Sequence, residues 1–484
     1  MAKIYGTPIM AGGAGGANKY LPPLLDNFKA FKGGGTSENP HITIQADKME
    51  ESRAKELAGA VWVYGDHIPK NVNDGTKIQL TREEVVTSDG GEAQTVTKTV
   101  EWNNEANFFA RQFTYNSKKQ YQTMLEGAVV GTGDMFNKIY GIKRDITNSS
   151  PEWARTDDAV RKTATASVGT TAGASDFDNC YPWSDITRET LSTGDVMVKI
   201  PKFWFQRYRE GDIEHIRIAD KNTAGFTLHP AFNHAGVEAD YIYVGAYTTS
   251  GKNKSVSGSS PQVSQTRATF RSNAKAKGAG WSLWDVAVLS AIQMLMLVEF
   301  ATNNMQSAIG RGYCDSNSSA ISTGSCNSVA NLTGRPAGTD GKVDVVWRGI
   351  EGLWGNVWEW VDGVNWNGGT YYVCNDPSKY ADDTATNYTA LSFKGATNWS
   401  SSYITEEGLD TGNNAHVMLP AAAGSGSEST YDCDACWSSA TWRVFLHGGP
   451  WAAGSRCGLF AALLNNASSG SGAGVGSRLL YIPS

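Results

Sequence analysis

The side chains of this chain that could carry chemistry are few and sparsely placed. Cys433-Asp434-Ala435-Cys436 is a C-x-x-C, the spacing of redox dithiols and, when doubled, of zinc sites. No second pair accompanies it. The remaining cysteines, Cys180, Cys314, Cys326, Cys374 and Cys457, are irregularly spaced, and the total of 7 is odd. A secreted disulfide framework is usually denser and even-numbered, so synthesis in a reducing cytosol is expected. His229 and His234 lie close in sequence, but a metal site needs more ligands at fixed spacing, and structural or surface roles are expected for both. The sequence contains no G-x-S-x-G, H-E-x-x-H or P-loop pattern. Binding is therefore expected in place of catalysis.

Charge and hydropathy narrow the partners. The net charge is −6 and no long basic run occurs, which argues against nucleic acid, because phosphate binding needs clustered Lys and Arg. The most apolar run, Val286 to Val298, spans 13 residues between Asp285 and Glu299. About 20 are needed to cross a bilayer, so this run reads as a buried helix, and no membrane insertion is expected. The N-terminus lacks the continuous apolar stretch of a secretory signal. The 53 glycines, 16 tryptophans and 19 tyrosines favour a β-rich, loop-rich architecture with wide aromatic surfaces.

A chain of 484 residues exceeds one core, and two to four domains are expected. Residues 1–40 read as an attachment or flexible segment, with an apolar cluster of Tyr20, Leu21, Leu24, Leu25 and Phe28 that wants burial. Residues 41–125 carry short alternating runs, a turn at Asp74-Gly75 and the core candidates Trp62, Tyr64, Trp102, Phe109 and Phe113, which predict an immunoglobulin- or fibronectin-like β-sandwich. Residues 130–275 read as a β-rich connecting region with strong strands in 195–208 and 240–249. Near 280 the period changes. Ser282, three before Asp285, resembles a capping box and predicts a helix from Leu283 to about Thr302, with Leu289, Ile292, Met296, Val298 and Phe300 toward the core. Residues 276–484 form the last domain. Its end loses charge and gains Gly, Ser, Asn and Trp, the composition of polar, aromatic-punctuated loops, where function usually sits. The fold class expected is multidomain, β-rich α+β.

Two motifs carry a family resemblance. Gly352-Leu353-Trp354-Gly355-Asn356-Val357-Trp358-Glu359-Trp360 looks like the G-N-V-W-E-W signature of the formylglycine-generating-enzyme branch of the C-type lectin fold. The run from Trp442 to Tyr481 resembles the variable region of diversity-generating-retroelement target proteins, a group that includes phage tail-fibre receptor-binding proteins. Its frame is Arg443, Gly448-Gly449, Trp451, Gly458-Leu459-Phe460 and Gly476-Ser477-Arg478-Leu479-Leu480-Tyr481. The phrases IPKFWF, LHPAF and SVSGSSP are similar to gut-phage tail proteins. The resemblance covers 130–484 and implies a C-type lectin fold for 276–484.

In such proteins, adenine-directed mutagenesis rewrites chosen positions while the frame stays fixed. Carried onto this chain, the rewritten, ligand-binding positions are Pro450, Ala452, Ala453, Arg456, Ala461, Leu463, Gly470, Gly472 and Gly474, with Cys457, Ala462 and Ala473 as further candidates. His447 joins them as a ligand contact. Trp451, Phe460, Arg478 and Tyr481 scaffold the site. Randomising the adenines of an Asn codon cannot give Lys, Glu, Gln, Met or Trp. From Phe445 to Val475 none occurs except the frame residue Trp451, although a Gly/Ser-rich loop lacks such residues for its own reasons.

The resemblance also sets expectations for cofactors and partners. The oxidases of that branch look to hold copper on two cysteines five positions apart; here Ala452 and Ala462 flank Cys457 at that spacing, so the pair is missing. Glu359, with the carbonyls of Gly355 and Val357, is the one candidate calcium site. Gly352 stands where an asparagine is expected, so a buried hydrogen bond or salt bridge is the reading for Glu359, and no cofactor is expected. The partners implied are a host cell-surface protein or glycan receptor and, through residues 1–40, other tail or virion proteins. A homotrimer would multiply a weak site by avidity, since only Arg456, Leu463 and His447 offer much grip. The location implied is the virion tail; the alternatives are a bacterial surface-displayed diversified binder and a formylglycine-generating-type oxidase.

Overall fold

The computed structural model describes residues 138–483 except Ala224 and Ser316, and, within 1–137, the backbone of strand segments only. Contacts divide the chain into two units, 1–137 and 138–484. In the first, Thr7–Met10, Ala60–Val63, Arg111–Tyr115 and Tyr121–Met124 form one four-stranded sheet; Phe28–Gly35, Pro40–Met49, Lys77–Thr87 and Ala93–Asn103 form another. The Asp74-Gly75 turn, and the side chains of the sandwich core expected for 41–125 and of the attachment cluster of 1–40, lie outside what is described.

The second unit begins with an antiparallel sheet in which β1 (Ile139–Asp145) and β2 (Trp204–Glu210) flank β3 (Ile213–Ala219). Side chains alternate along a strand, so Glu214 turns inward with Ile216 and Ile218. The buried carboxylate is held by Arg207 at 2.7 Å and Arg144 at 3.5 Å. Next come β4 (Tyr241–Gly245), α1 (Arg267–Lys275), β5 (Trp281–Leu283) and α2 (Val286–Phe300). Every α2 residue but Phe300 is buried, as a helix apolar on all sides must be.

The helix starts later than its sequence suggests. Asp285 is the N-cap, accepting the Val288 N–H at 3.0 Å. Ser282 is drawn instead into β5, and its hydroxyl has no hydrogen-bond partner in the protein. The helix ends at Phe300, before Ala301 in the left-handed region. Phe300 is half-buried and packs against the edge of the core.

The later strands that position the site are β6 (Trp358–Asn367), β7 (Ser402–Glu407), β8 (Ala435–Ser438), β9 (Arg443–His447), β10 (Ala462–Asn466), β11 (Val475–Ser477) and β12 (Leu479–Tyr481). A large sheet runs through β6, β9, β10, β8 and β7, with β11 parallel to β6. β12 inserts between β4 and β5. Contacts thus run straight through the 275/276 boundary, and one core cluster spans it, from Tyr140 to Leu480.

Candidate ligand-binding surface

The two motifs interlock. β6 turns Glu359 to one face of its sheet, where both carboxylate oxygens receive Arg478, at 2.9 Å each. Thr248 adds a third hydrogen bond at 2.7 Å. Arg478 also donates to the carbonyls of Gly245 and Glu351, each at 2.8 Å. Burial pushes the Glu359 carboxyl up, and Arg478 and Thr248 oppose that shift. Both oxygens are engaged by the protein itself, so Glu359 sits in the salt bridge expected of it. Among the described residues no group of three or more His, Cys, Asp or Glu is arranged to hold a metal ion.

The backbone leaving β9 is held from several sides. Trp451 N–H donates to Asn356 O, inside the first motif, and Trp451 O accepts from Asn317 N–H, both at 3.0 Å. Gly454 N–H donates to Cys314 O at 2.9 Å, and Gly458 N–H to Gly448 O at 3.1 Å. Two glycines are dictated by close approach. A methyl at Gly449 would meet Cys457 Sγ at 2.5 Å, and one at Gly458 would meet Asp434 Oδ1 at 1.9 Å. Asp434 in turn accepts the Phe460 N–H at 2.7 Å. The segment is therefore an irregular loop with a fixed path.

Side chains on this path separate into two groups. Ala452, Arg456 and Ala473 are exposed, and Pro450, Ala453, Leu463, Gly470, Gly472 and Gly474 are half-buried. His447, Cys457, Ala461 and Ala462 are buried. These four are not on a surface that a ligand could meet: His447 and Ala462 pair with each other inside the large sheet, whose inner strands are covered on both faces, and Cys457 and Ala461 lie on the buried side of the turn at Gly458. His447 bonds Leu459 O at 2.8 Å through Nε2, and burial pulls its pKa down to about 4. Of the scaffold residues, Phe460 and Arg478 are buried, while Trp451 and Tyr481 are half-buried. Tyr481 stacks on Trp281 with ring centroids 4.9 Å apart.

Aromatic residues outside the variable stretch complete the surface. A methyl at Gly474 would meet the Trp451 ring at 3.2 Å, so these two positions touch. Gly474 O accepts the Trp358 N–H at 2.8 Å. Trp358 packs edge-on against Trp437 at 5.7 Å, and Trp437 lies in register with Leu463. Tyr403 reaches Ser455 with a 2.8 Å hydrogen bond. Trp437, Tyr403 and Asn317 were missed from sequence, since each reaches the site by pairing across distant segments. The band they make with Trp451 and Leu463 offers aromatic grip beside one exposed cation, Arg456.

The thiols and histidines lie elsewhere in function. Cys433 and Cys436 are buried free thiols, and Cys457 lies against Cys314. Burial pushes all three of Cys433, Cys436 and Cys457 up, away from the reactive thiolate. His229 Nδ1 accepts the Ala231 N–H at 3.2 Å, and His234 pairs with Asp285 at 2.8 Å. Both histidines are buried.

No family model matches the chain, and no curated protein matches it. Among solved structures, the Major Tropism Determinant P3c variant and the Major Tropism Determinant U1 variant are similar at 14% identity. Each superposition covers 82% of this chain and 83% of the other, with TM-scores of 0.23 and 0.24. Scores of that size do not equate two folds.

Proposed function

We propose that this chain is a receptor-binding protein of the tail-fibre type, from a phage or prophage, and that it meets a host-surface ligand with the loops around 450–456 and 467–474. One observation carries the reading. Within a single stretch, the frame is buried or half-buried and hydrogen-bonded, while Ala452, Arg456 and Ala473 project into solvent. Surface positions tolerate replacement and packed ones do not, so this division suits a face whose contacts change while its backbone stays.

A C-type lectin fold for 276–484 and diversification by a retroelement belong to the same reading, supported by the likeness of the two sequence motifs. The exposed exchangeable residues here are small apart from Arg456, so one site grips weakly. A homotrimer would raise the effective affinity by holding three sites together. We read the chain as a binder and not an enzyme; the upward-shifted thiols suit that reading. The ligand class is a protein or glycan of the host surface, and display on a bacterial surface is the alternative setting.

The test is the DNA downstream of the gene. A near-identical repeat of the segment coding for 442–481, differing only at adenines and lying beside a reverse transcriptase, is expected. Its absence contradicts diversification. Differences that fall on Gly449, Phe460 or Arg478 contradict the division into frame and exchangeable positions.

A further inference from the structure

Far from those loops in sequence, three segments around 227–236, 373–389 and 413–416 converge on an open cleft of about 570 Å³, within the range of small-molecule sites. Their backbones are pinned to one another. Ala235 N–H donates to Asn375 O at 2.9 Å, and Asn375 Nδ2 donates to Pro230 O at 3.0 Å and Asn233 O at 2.8 Å. The lining is rich in amides: Asn233, Asn375, Asn387, Asn413 and Asn414. Leu228, Pro230 and Val373 supply an apolar strip beside them. Among the described residues, Asp376 and Lys379 are the only charged ones lining the cleft, and they pair with each other at 3.0 Å.

Two buried polar atoms at this cleft lack a hydrogen-bond partner in the protein. Asn375 Oδ1 is one; Nδ1 of His416, a side chain 3% exposed, is the other. Buried polar groups are normally satisfied; both atoms are closed to solvent, so they make the floor beneath the cleft polar and are not themselves ligand contacts. Burial pulls His416 down to about 3, so the imidazole is neutral and can accept or donate.

We infer that this cleft binds a neutral oligosaccharide. Sugar hydroxyls donate and accept, as carboxamides do, and the apolar strip suits the C–H face of a pyranose ring. A phosphate or carboxylate ligand would need an unpaired cation, and a nucleobase would need an aromatic wall; the lining has neither. This site goes beyond the proposed binding face and stands or falls separately from it.

The experiment is calorimetric titration of the full chain with lactose, maltotriose and N,N′-diacetylchitobiose. At least one is expected to bind at millimolar affinity or tighter. The variant Asn233→Ala/Asn413→Ala, which changes two exposed lining side chains, is expected to weaken binding about tenfold or more with an unchanged melting temperature. The variant Arg456→Ala/Leu463→Ala is expected to leave it intact. Absence of binding by all three sugars overturns the inference, as does binding that survives the cleft variant or is lost in the loop variant.

Discussion

Arg478 grips both carboxylate oxygens of Glu359 at 2.9 Å, across 119 residues of sequence. This one pair ties the tryptophan-rich motif on β6 to the link between β11 and β12, and so fixes where the loops between β9 and β11 begin and end.

Removing one partner strands the other charge in the core. Arg478→Met is expected to cost about 3–5 kcal/mol in urea denaturation, because an unpaired buried carboxylate is far worse than no charge. Arg478→Met combined with Glu359→Leu recovers much of that loss. Equal destabilisation by the single and double changes would mean that packing, and not the ion pair, matters there.

Substitutions along 447–474 should divide by burial. Ala452→Ser and Ala473→Ser are expected within about 0.5 kcal/mol of the parent. Ala461→Asn and Ala462→Asn, each at 0% exposure, should cost about 1–3 kcal/mol through overpacking and an unpaired amide. Phe460→Ala should cost about 3–5 kcal/mol. Denaturation midpoints of the five variants check this.

How far the site could be read from sequence follows the same line. Trp451, Phe460 and Arg478 were placed in the frame by the resemblance of the 442–481 run to a variable region, and not by any local pattern of their own. Ala461 and Ala462 were not separable from Ala452 and Ala453, since alanine is equally at home in a core and on a surface. Glu359 was legible as a buried bond, but its partner was not, because nothing local points across 119 residues. The same limit hid Cys314 beneath Cys457, Trp437 beside Leu463, and the amide cleft built from three separate loops.

The helix cap gives a direct contrast. Asp285 caps α2 and also holds His234 and the Tyr380 hydroxyl, at 2.8 and 3.0 Å. Asp285→Ala should cost about 2 kcal/mol or more. Ser282→Ala, which removes an unbonded hydroxyl, should cost about 0.5 kcal/mol or less. Comparable losses would return the cap to Ser282.

Acid should act through His447 and His416. Burial lowers both from the ordinary 6.5, to about 4 and about 3. The unfolded chain therefore takes up protons first, and stability falls as pH drops below about 6.5. The His447 share is fully lost near pH 4, and the His416 share near pH 3. His447→Gln should flatten the decline between pH 6.5 and 4 by on the order of a few kcal/mol. Parallel curves for parent and variant would show that His447 does not drive it.

The central claim is that the exposed side chains beside Trp451 make the ligand contact. Adsorption of the fluorescently labelled full chain to a panel of whole bacterial cells tests it, comparing the parent with Ala452→Glu/Arg456→Glu, two exposed positions. The account predicts adsorption to at least one strain, reduced tenfold or more, about 1.4 kcal/mol or more, in a variant that melts as the parent does. Adsorption to no strain, or adsorption that the two substitutions leave unchanged, would contradict it.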